Sequence, residues 1–68
     1  MKKLSTSRLA ELVTEGRKAK NLTQQQLADA TGINRALISR LEKQDFVPSI
    51  QQLEELGEAL GFEPDSVF

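Results

Sequence analysis

The segment from Leu22 to Glu42, LTQQQLADATGINRALISRLE, limits the possible folds of this chain more than any other part of its sequence. Thr23 and Gln26 have the spacing of a capping box, in which each side chain bonds to the backbone N–H of the other residue. This pattern predicts a helix that begins at Gln24. That helix is expected to bury two apolar side chains, Leu27 and Ala30.

The residues that follow predict a turn and then a second helix. Gly32 is expected to end the first helix, because glycine adopts a positive φ without a steric penalty. Asn34 can cap a second helix that begins at Arg35. Two short helices connected in this way form a helix-turn-helix unit, here over residues 23–42.

Composition excludes most kinds of catalytic and metal site. The 68 residues are enough for one domain, predicted over residues 1–68. They include no cysteine and no histidine, which removes disulfides, the usual zinc ligands and the commonest general base. We therefore expect no catalytic residue, no metal and no cofactor, and the chain is not predicted to be an enzyme.

No segment is typical of a membrane or secreted protein. No apolar run approaches the roughly 20 residues of a membrane span. Met1 to Leu4 are not followed by the apolar segment of a signal peptide. Without such segments and without cysteines, the chain is expected to be cytoplasmic and to have no membrane partner.

The charges are unevenly distributed along the chain. Up to Lys43 there are nine basic and four acidic residues, whereas the six charged residues after it are all acidic. The formal net charge of −1 therefore conceals a basic part and an acidic part. This distribution indicates either a basic face that contacts phosphate or an ordinary solvated surface.

Helical periodicity outside the unit predicts an all-α fold with five helices. A first helix is expected from about Thr6 to Lys20, with Leu9, Leu12 and Val13 on one face. Gly16 interrupts that helix and costs about 1 kcal/mol relative to alanine in a helix interior. We therefore expect a large side chain, such as a phenylalanine, to pack over it.

Two further helices are predicted after the helix-turn-helix unit. Ser49 and Gln52 repeat the capping-box spacing at the start of a fourth helix. Its apolar face and closing glycine comprise Ile50, Leu53, Leu56, Leu60 and Gly61. Pro64 is placed in the first turn of a short fifth helix that ends in Val67 and Phe68.

The second helix of the unit has one face suited to the core and one suited to a partner. Ile38 and Leu41 lie on its inward face. The outward stripe has i, i+3, i+4, i+7 spacing and consists of Ala36, Ser39, Arg40 and Lys43, with Arg35 at the exposed beginning.

The capped helices, the turn glycine and the later segment VPSIQQLEELGEALG resemble the phage-repressor-type helix-turn-helix family, the class of the lambda Cro and repressor proteins. The resemblance covers about Leu9 to Phe68. It implies a compact five-helix, lambda-repressor-like domain whose partner is double-stranded DNA.

The resemblance also implies roles for individual residues. Base contacts in the major groove are implied for Arg35, Ala36 and Arg40. Ser39 is predicted as a further base contact from its place between the arginines on the outward stripe, with a phosphate contact or no contact as the alternatives. Phosphate contacts are implied for Thr23, Gln24, Asn34 and Lys43. A simpler interpretation exists for several of them: Gln24 is a polar first-turn residue, Asn34 is only a cap, and Arg40 is solvated or contacts phosphate.

Arg17 and Glu42 match a pair that in the family links the first helix to the end of the third. The resemblance implies a structural ion pair, and the alternative is two solvated side chains. If the pair is partly buried, removal of one partner leaves an uncompensated charge, at a cost of about 3 kcal/mol or more.

The loop after the third helix departs from the family pattern. Gln44, Asp45, Phe46 and Val47 stand where many members carry glycine and basic residues. Asp45 would repel phosphate. Phe46 and Val47 are expected in the core, and if exposed they would suit a dimer contact or another protein.

These features predict a sequence-specific DNA-binding transcription regulator, a repressor that binds a palindromic operator as a homodimer. The dimer contact is expected in the C-terminal part, at Phe62, Val67 and Phe68. Two alternatives remain open. One is the DNA-binding antitoxin of a toxin-antitoxin pair, which also binds a protein partner, and the other is a protein-binding helical module.

Overall fold

The computed structural model describes residues 3–68, which form four α-helices and one turn of 3₁₀ helix. The elements are α1 Thr6–Ala19, α2 Gln24–Thr31, α3 Arg35–Glu42, α4 Ile50–Leu60 and the 3₁₀ turn Pro64–Val67. No residue of this range lies in a β-strand, so the predicted all-α class is confirmed.

The prediction of a fifth α-helix is wrong, because the last element is a single 3₁₀ turn of four residues. Its backbone bonds connect residues three apart, with the N–H of Ser66 donating to the carbonyl of Glu63 at 2.9 Å. The carbonyl of Val67 instead accepts from the N–H of Ser5 at 2.6 Å. This tighter turn places Val67 in the core and ties the segment before α1 to the end of the chain.

Two capping boxes start α2 and α4 at the residues that the sequence indicates. The Thr23 hydroxyl accepts from the backbone N–H of Gln26 at 3.0 Å, and the Gln26 side chain accepts from the backbone N–H of Thr23 at 2.8 Å. Ser49 and Gln52 form the same pair of bonds at 3.1 and 2.9 Å. Each box satisfies two backbone donors that the first turn of a helix leaves free.

The core lies where α3 packs against α1 and α2, and where α4 packs against the same two helices. The fully buried side chains are Leu9, Val13, Leu27, Ile38, Leu41, Leu53, Leu56 and Val67. Three expected core positions are wrong: Ala30, Ile50 and, in the loop after α3, Val47. Ala30 is exposed, because α2 faces the core with Leu27, Ala28 and Thr31 instead.

Ile50 is also exposed, at 64%, although the sequence places it on the apolar face of α4. A helical side chain covers the turn that precedes it, and Ile50 is the first residue of its helix. No earlier turn of α4 exists for it to cover. Its side chain therefore lies at the edge of the apolar face, in contact with solvent.

Gly16 and Gly57 let two parts of the chain approach α1 and α4 closely. A Cβ at Gly16 would lie 3.2 Å from the Cβ of Leu60, so the side chain over Gly16 is a leucine and not the expected phenylalanine. A Cβ at Gly57 would lie 2.5 Å from the carbonyl oxygen of Phe62. Only glycine allows the chain after α4 to fold back at this distance.

Candidate nucleic-acid interface

α3 has one buried face and one exposed face, as its sequence pattern predicts. Ile38 and Leu41 are at most 1% exposed. Arg35, Ala36 and Arg40 are exposed on the other side. Ser39, between them, is half-buried, and Lys43 follows the helix as an exposed C-cap. The four residues expected to contact bases therefore lie on the outer side of one helix, about 12 Å long by its eight residues.

Asn34 caps the first turn of α3, which is exposed to solvent. Its side-chain oxygen accepts from the backbone N–H of Ala36 at 2.7 Å. The exposed Asn34 and Arg35 thus stand at the positive end of the helix dipole.

Gln24 connects the start of α2 to the end of α3. Its side-chain Nε2 donates to Oε1 of Glu42 at 3.3 Å, and the residue is half-buried. Thr23 beside it is exposed, but its hydroxyl already accepts the capping bond from Gln26. Both residues lie at the N-terminus of α2, where free amides favour a phosphate.

Arg17 and Glu42 form a bidentate ion pair between α1 and the end of α3. Arg17 Nε donates to Glu42 Oε2 at 2.8 Å, and Arg17 Nη2 donates to Oε1 at 3.1 Å. Arg17 Nη1 also donates to the carbonyl of Leu22 at 2.8 Å. The two side chains are only 14% and 10% exposed. One side chain thus fixes α1, the loop before α2 and the end of α3.

The hydrogen bonds to Glu42 raise the pKa of Arg17, and burial opposes that shift while the charge of Glu42 adds to it. A folded-state pKa above the unfolded one means that the guanidinium stabilises the fold at every pH below its unfolded pKa. Arginine is protonated throughout the ordinary range in both states. The positive charge of Arg17, which joins α1 to the end of α3, is therefore present at every ordinary pH.

The loop after α3 turns back over its own helix. Gln44 has a positive φ of 63°, and the backbone N–H of Asp45 donates to the carbonyl of Arg40 at 2.8 Å. The carboxylate of Asp45 then accepts from Nε of Arg40 at 3.3 Å. From the sequence, Asp45 was expected only to repel phosphate, and its pair with Arg40 was not predicted. The sequence pattern that could have indicated the pair is a basic residue five positions before a carboxylate, across a helix end.

The apolar residues of the loop and the C-terminus separate into buried and exposed ones. Phe46 and Phe62 are half-buried and pack against the core. Val47, expected in the core, is 61% exposed, because the loop here turns its neighbours Phe46 and Pro48 toward the interior instead. Val67 is fully buried, so its proposed place in a dimer contact is wrong, whereas Phe68 is 41% exposed.

Among residues 3–68, every helix falls short of the length and apolar character that a membrane span requires.

A capped helix pair with a glycine turn, whose second helix presents arginines outward, defines a helix-turn-helix protein. The profile of the helix-turn-helix family matches residues 13–67, and the chain belongs to this family of DNA-binding transcription regulators. The resemblance to the phage-repressor type, stated from the sequence, is confirmed.

Solved structures show the same fold. The chain is similar to the restriction-modification controller protein C.AhdI from Aeromonas hydrophila, with a TM-score of 0.81 and 28% identity over 93% of this chain and 96% of that one. A mutant of the controller protein C.Esp1396I gives 0.79 and 25%, over 93% and 80%.

A transcriptional regulator from Vibrio cholerae gives a TM-score of 0.79 and 24% identity over 93% of this chain and 35% of that one, which shows the fold alone. No curated protein sequence matches the chain.

Proposed function

We propose that this protein is a sequence-specific DNA-binding transcription regulator that inserts α3 into the major groove. The observation that carries the proposal is the exposed face of α3, where Arg35, Ala36 and Arg40 project from a helix whose other face is anchored in the core. Arginine bonds to O6 and N7 of guanine, and the alanine methyl suits the methyl of thymine. Ser39 lies half-buried between them and would contact the edge of a base with its hydroxyl group.

Phosphate contacts at both ends of α3 would fix its orientation in the groove. Asn34 offers a helix N-terminus to the DNA backbone at the start of α3. Thr23 and Gln24 offer the N-terminus of α2 near the end of α3, where Lys43 adds a point charge. The side-chain NH₂ of Gln24 has two N–H donors. On DNA it would therefore either donate one to phosphate and keep the other on Glu42, or leave Glu42 for the phosphate.

We also propose that two copies bind a palindromic operator and that the protein represses transcription. One short helix contacts only a few base pairs, whereas a symmetric dimer doubles the contacts over half-sites about 34 Å apart. The half-buried Phe62 and exposed Phe68 would contribute to the dimer contact. The match to C.AhdI over nearly its whole length supports a role as a restriction-modification controller.

Selection of bound duplexes from a random pool, followed by footprinting, tests the proposal. We expect two symmetric half-sites and a steep salt dependence. On the selected site, Arg40→Ala should cost about 1 to 3 kcal/mol of binding and relax the preference at one position, whereas Lys43→Ala should weaken all sequences alike. Lack of salt-dependent binding to any selected duplex contradicts the proposal.

One observation favours a second candidate, the DNA-binding antitoxin of a toxin-antitoxin pair. Val47 and Phe68 are large apolar side chains on the surface, as a bound protein partner would require. Purification of the protein together with the product of a neighbouring gene would distinguish the two candidates. A regulator of the first kind should purify alone and still bind its operator.

A further inference from the structure

Asp45 is held against Arg40 by the backbone as well as by its side chain. The loop leaves α3 through the left-handed Gln44, and the N–H of Asp45 returns to the carbonyl of Arg40 at 2.8 Å. This bond keeps the carboxylate beside the guanidinium although both side chains are more than half exposed, at 54% and 74%. The position of the pair is therefore fixed by the backbone at the end of α3. As an exposed ion pair it contributes little to stability.

The contact uses one particular nitrogen of Arg40. Nε donates to Oδ2 of Asp45 at 3.3 Å, and within residues 3–68 neither terminal nitrogen of Arg40 has a hydrogen bond. A guanidinium is a rigid plane, so a bond at Nε restricts the direction in which both terminal nitrogens point. Those two nitrogens are the ones that would bond to O6 and N7 of a guanine.

We propose that Asp45 is the positioning residue that gives Arg40 its selectivity for guanine. It orients the free edge of the guanidinium for a bidentate contact, and its negative charge opposes contact of the same arginine with phosphate. The proposal rests on the proposed DNA-binding function. Asp45 would then have a role in DNA binding although its negative charge repels phosphate.

The two effects of Asp45 act on different kinds of complex. Orientation favours the duplex with guanine opposite Arg40, because less side-chain freedom is lost when the two bonds form. Repulsion between the carboxylate and phosphates weakens every complex, including those on unrelated sequences. Removal of Asp45 should therefore strengthen binding to unrelated DNA and weaken the preference for guanine.

Binding to three duplexes tests the inference: the selected site, the same site with adenine in place of the guanine that Arg40→Ala identifies, and an unrelated sequence. Asp45→Ala should reduce the preference for guanine by about fivefold, the low end of what a good bidentate contact discriminates. It should also steepen the slope of log affinity against log salt by about 1. Asp45→Asn keeps a weaker acceptor and should lose less of the preference, with a similar change in slope.

Glu58→Gln on α4 is the matched control, since it removes one exposed negative charge from another surface. In an Arg40→Ala background, Asp45→Ala should no longer change the base preference. If Asp45→Ala behaves as Glu58→Gln does while the wild type binds its site selectively, the inference is overturned and the proposed function stands. If the wild type binds no duplex, both are overturned.

Discussion

Replacement of Arg17 by methionine is the most informative test of how α1 and α3 are joined. Methionine keeps much of the packing volume of the arginine stem but removes the charge and three hydrogen bonds, two to Glu42 and one to the carbonyl of Leu22. Glu42 is then left only 10% exposed, with Gln24 as its remaining partner. An uncompensated buried charge costs about 3 to 5 kcal/mol.

That loss is large for a chain of this size. A domain of 68 residues has a free energy of unfolding of roughly 3 to 10 kcal/mol. A loss of about 3 kcal/mol should lower Tm by roughly 12 to 24 °C. Thermal and urea unfolding followed by circular dichroism measure it. Because the pKa of Arg17 is raised, the difference from wild type should persist from about pH 6 to about pH 9.

The exposed pair of Arg8 and Glu11 is a matched control within α1. Its N–O distance is 3.1 Å, but the two side chains are 50% and 56% exposed. Arg8→Met should therefore cost less than about 0.5 kcal/mol. The double variant Arg17→Met with Glu42→Met should be more stable than the sum of the single losses predicts. If Arg17→Met costs no more than Arg8→Met, or if the double variant shows no coupling, the assignment of a structural ion pair is refuted.

Three further comparisons of stability, each between two substitutions, follow from the structure and are measured by the same unfolding curves. Gly57→Ala should destabilise the protein by about 1 to 3 kcal/mol, because the new Cβ meets the backbone carbonyl of Phe62, whereas Gly16→Ala meets the side chain of Leu60 and should change stability by less than about 1 kcal/mol. Equal costs would refute this contrast. Val67→Ala should cost about 2 kcal/mol and Phe68→Ala less than about 1 kcal/mol, because only the former empties a core position; the reverse order would mean that Val67 is not in the core. Ser49→Ala should cost about 1 kcal/mol by opening the capping box of α4, and Ser49→Gly only a few tenths; no difference between them would count against the cap.

Local chemistry explains why much of the fold is predictable from the sequence. A capping box needs two side chains at a fixed spacing. The spacing of Thr23 and Gln26 predicts the start of α2, and the same two side chains form the cap there. Gly32 and Gly61 end their helices with φ of 74° and 81°, the region that glycine favours. Such features depend only on residues a few positions apart, so they can be predicted without knowing how the helices pack.

The errors concern contacts between distant residues or choices between neighbouring ones. Ala28 and Ala30 are equally apolar, and only the orientation of α2 against the other helices makes Ala28 the buried one. The packing of Leu60 over Gly16 depends on the angle between α1 and α4. These are properties of the assembled core, which no local pattern contains.

The candidate site shows the same division. Helical periodicity is enough to place Arg35, Ala36 and Arg40 on an exposed face, since it requires only the burial of the opposite side. The contact between Arg40 and Asp45 depends on the left-handed conformation of Gln44, a residue that rarely adopts it. The loop after α3 was therefore the part of the interface that the sequence described least well.

Methylation protection of guanine N7 by the bound protein tests the central claim most directly, since N7 lies in the major groove. We predict protected guanines in two symmetric half-sites about one helical turn apart, with one guanine per half-site losing protection in Arg40→Ala. Binding that protects no guanine N7, or protection that Arg40→Ala and Arg35→Ala leave unchanged, would contradict the proposal that α3 contacts bases in the major groove.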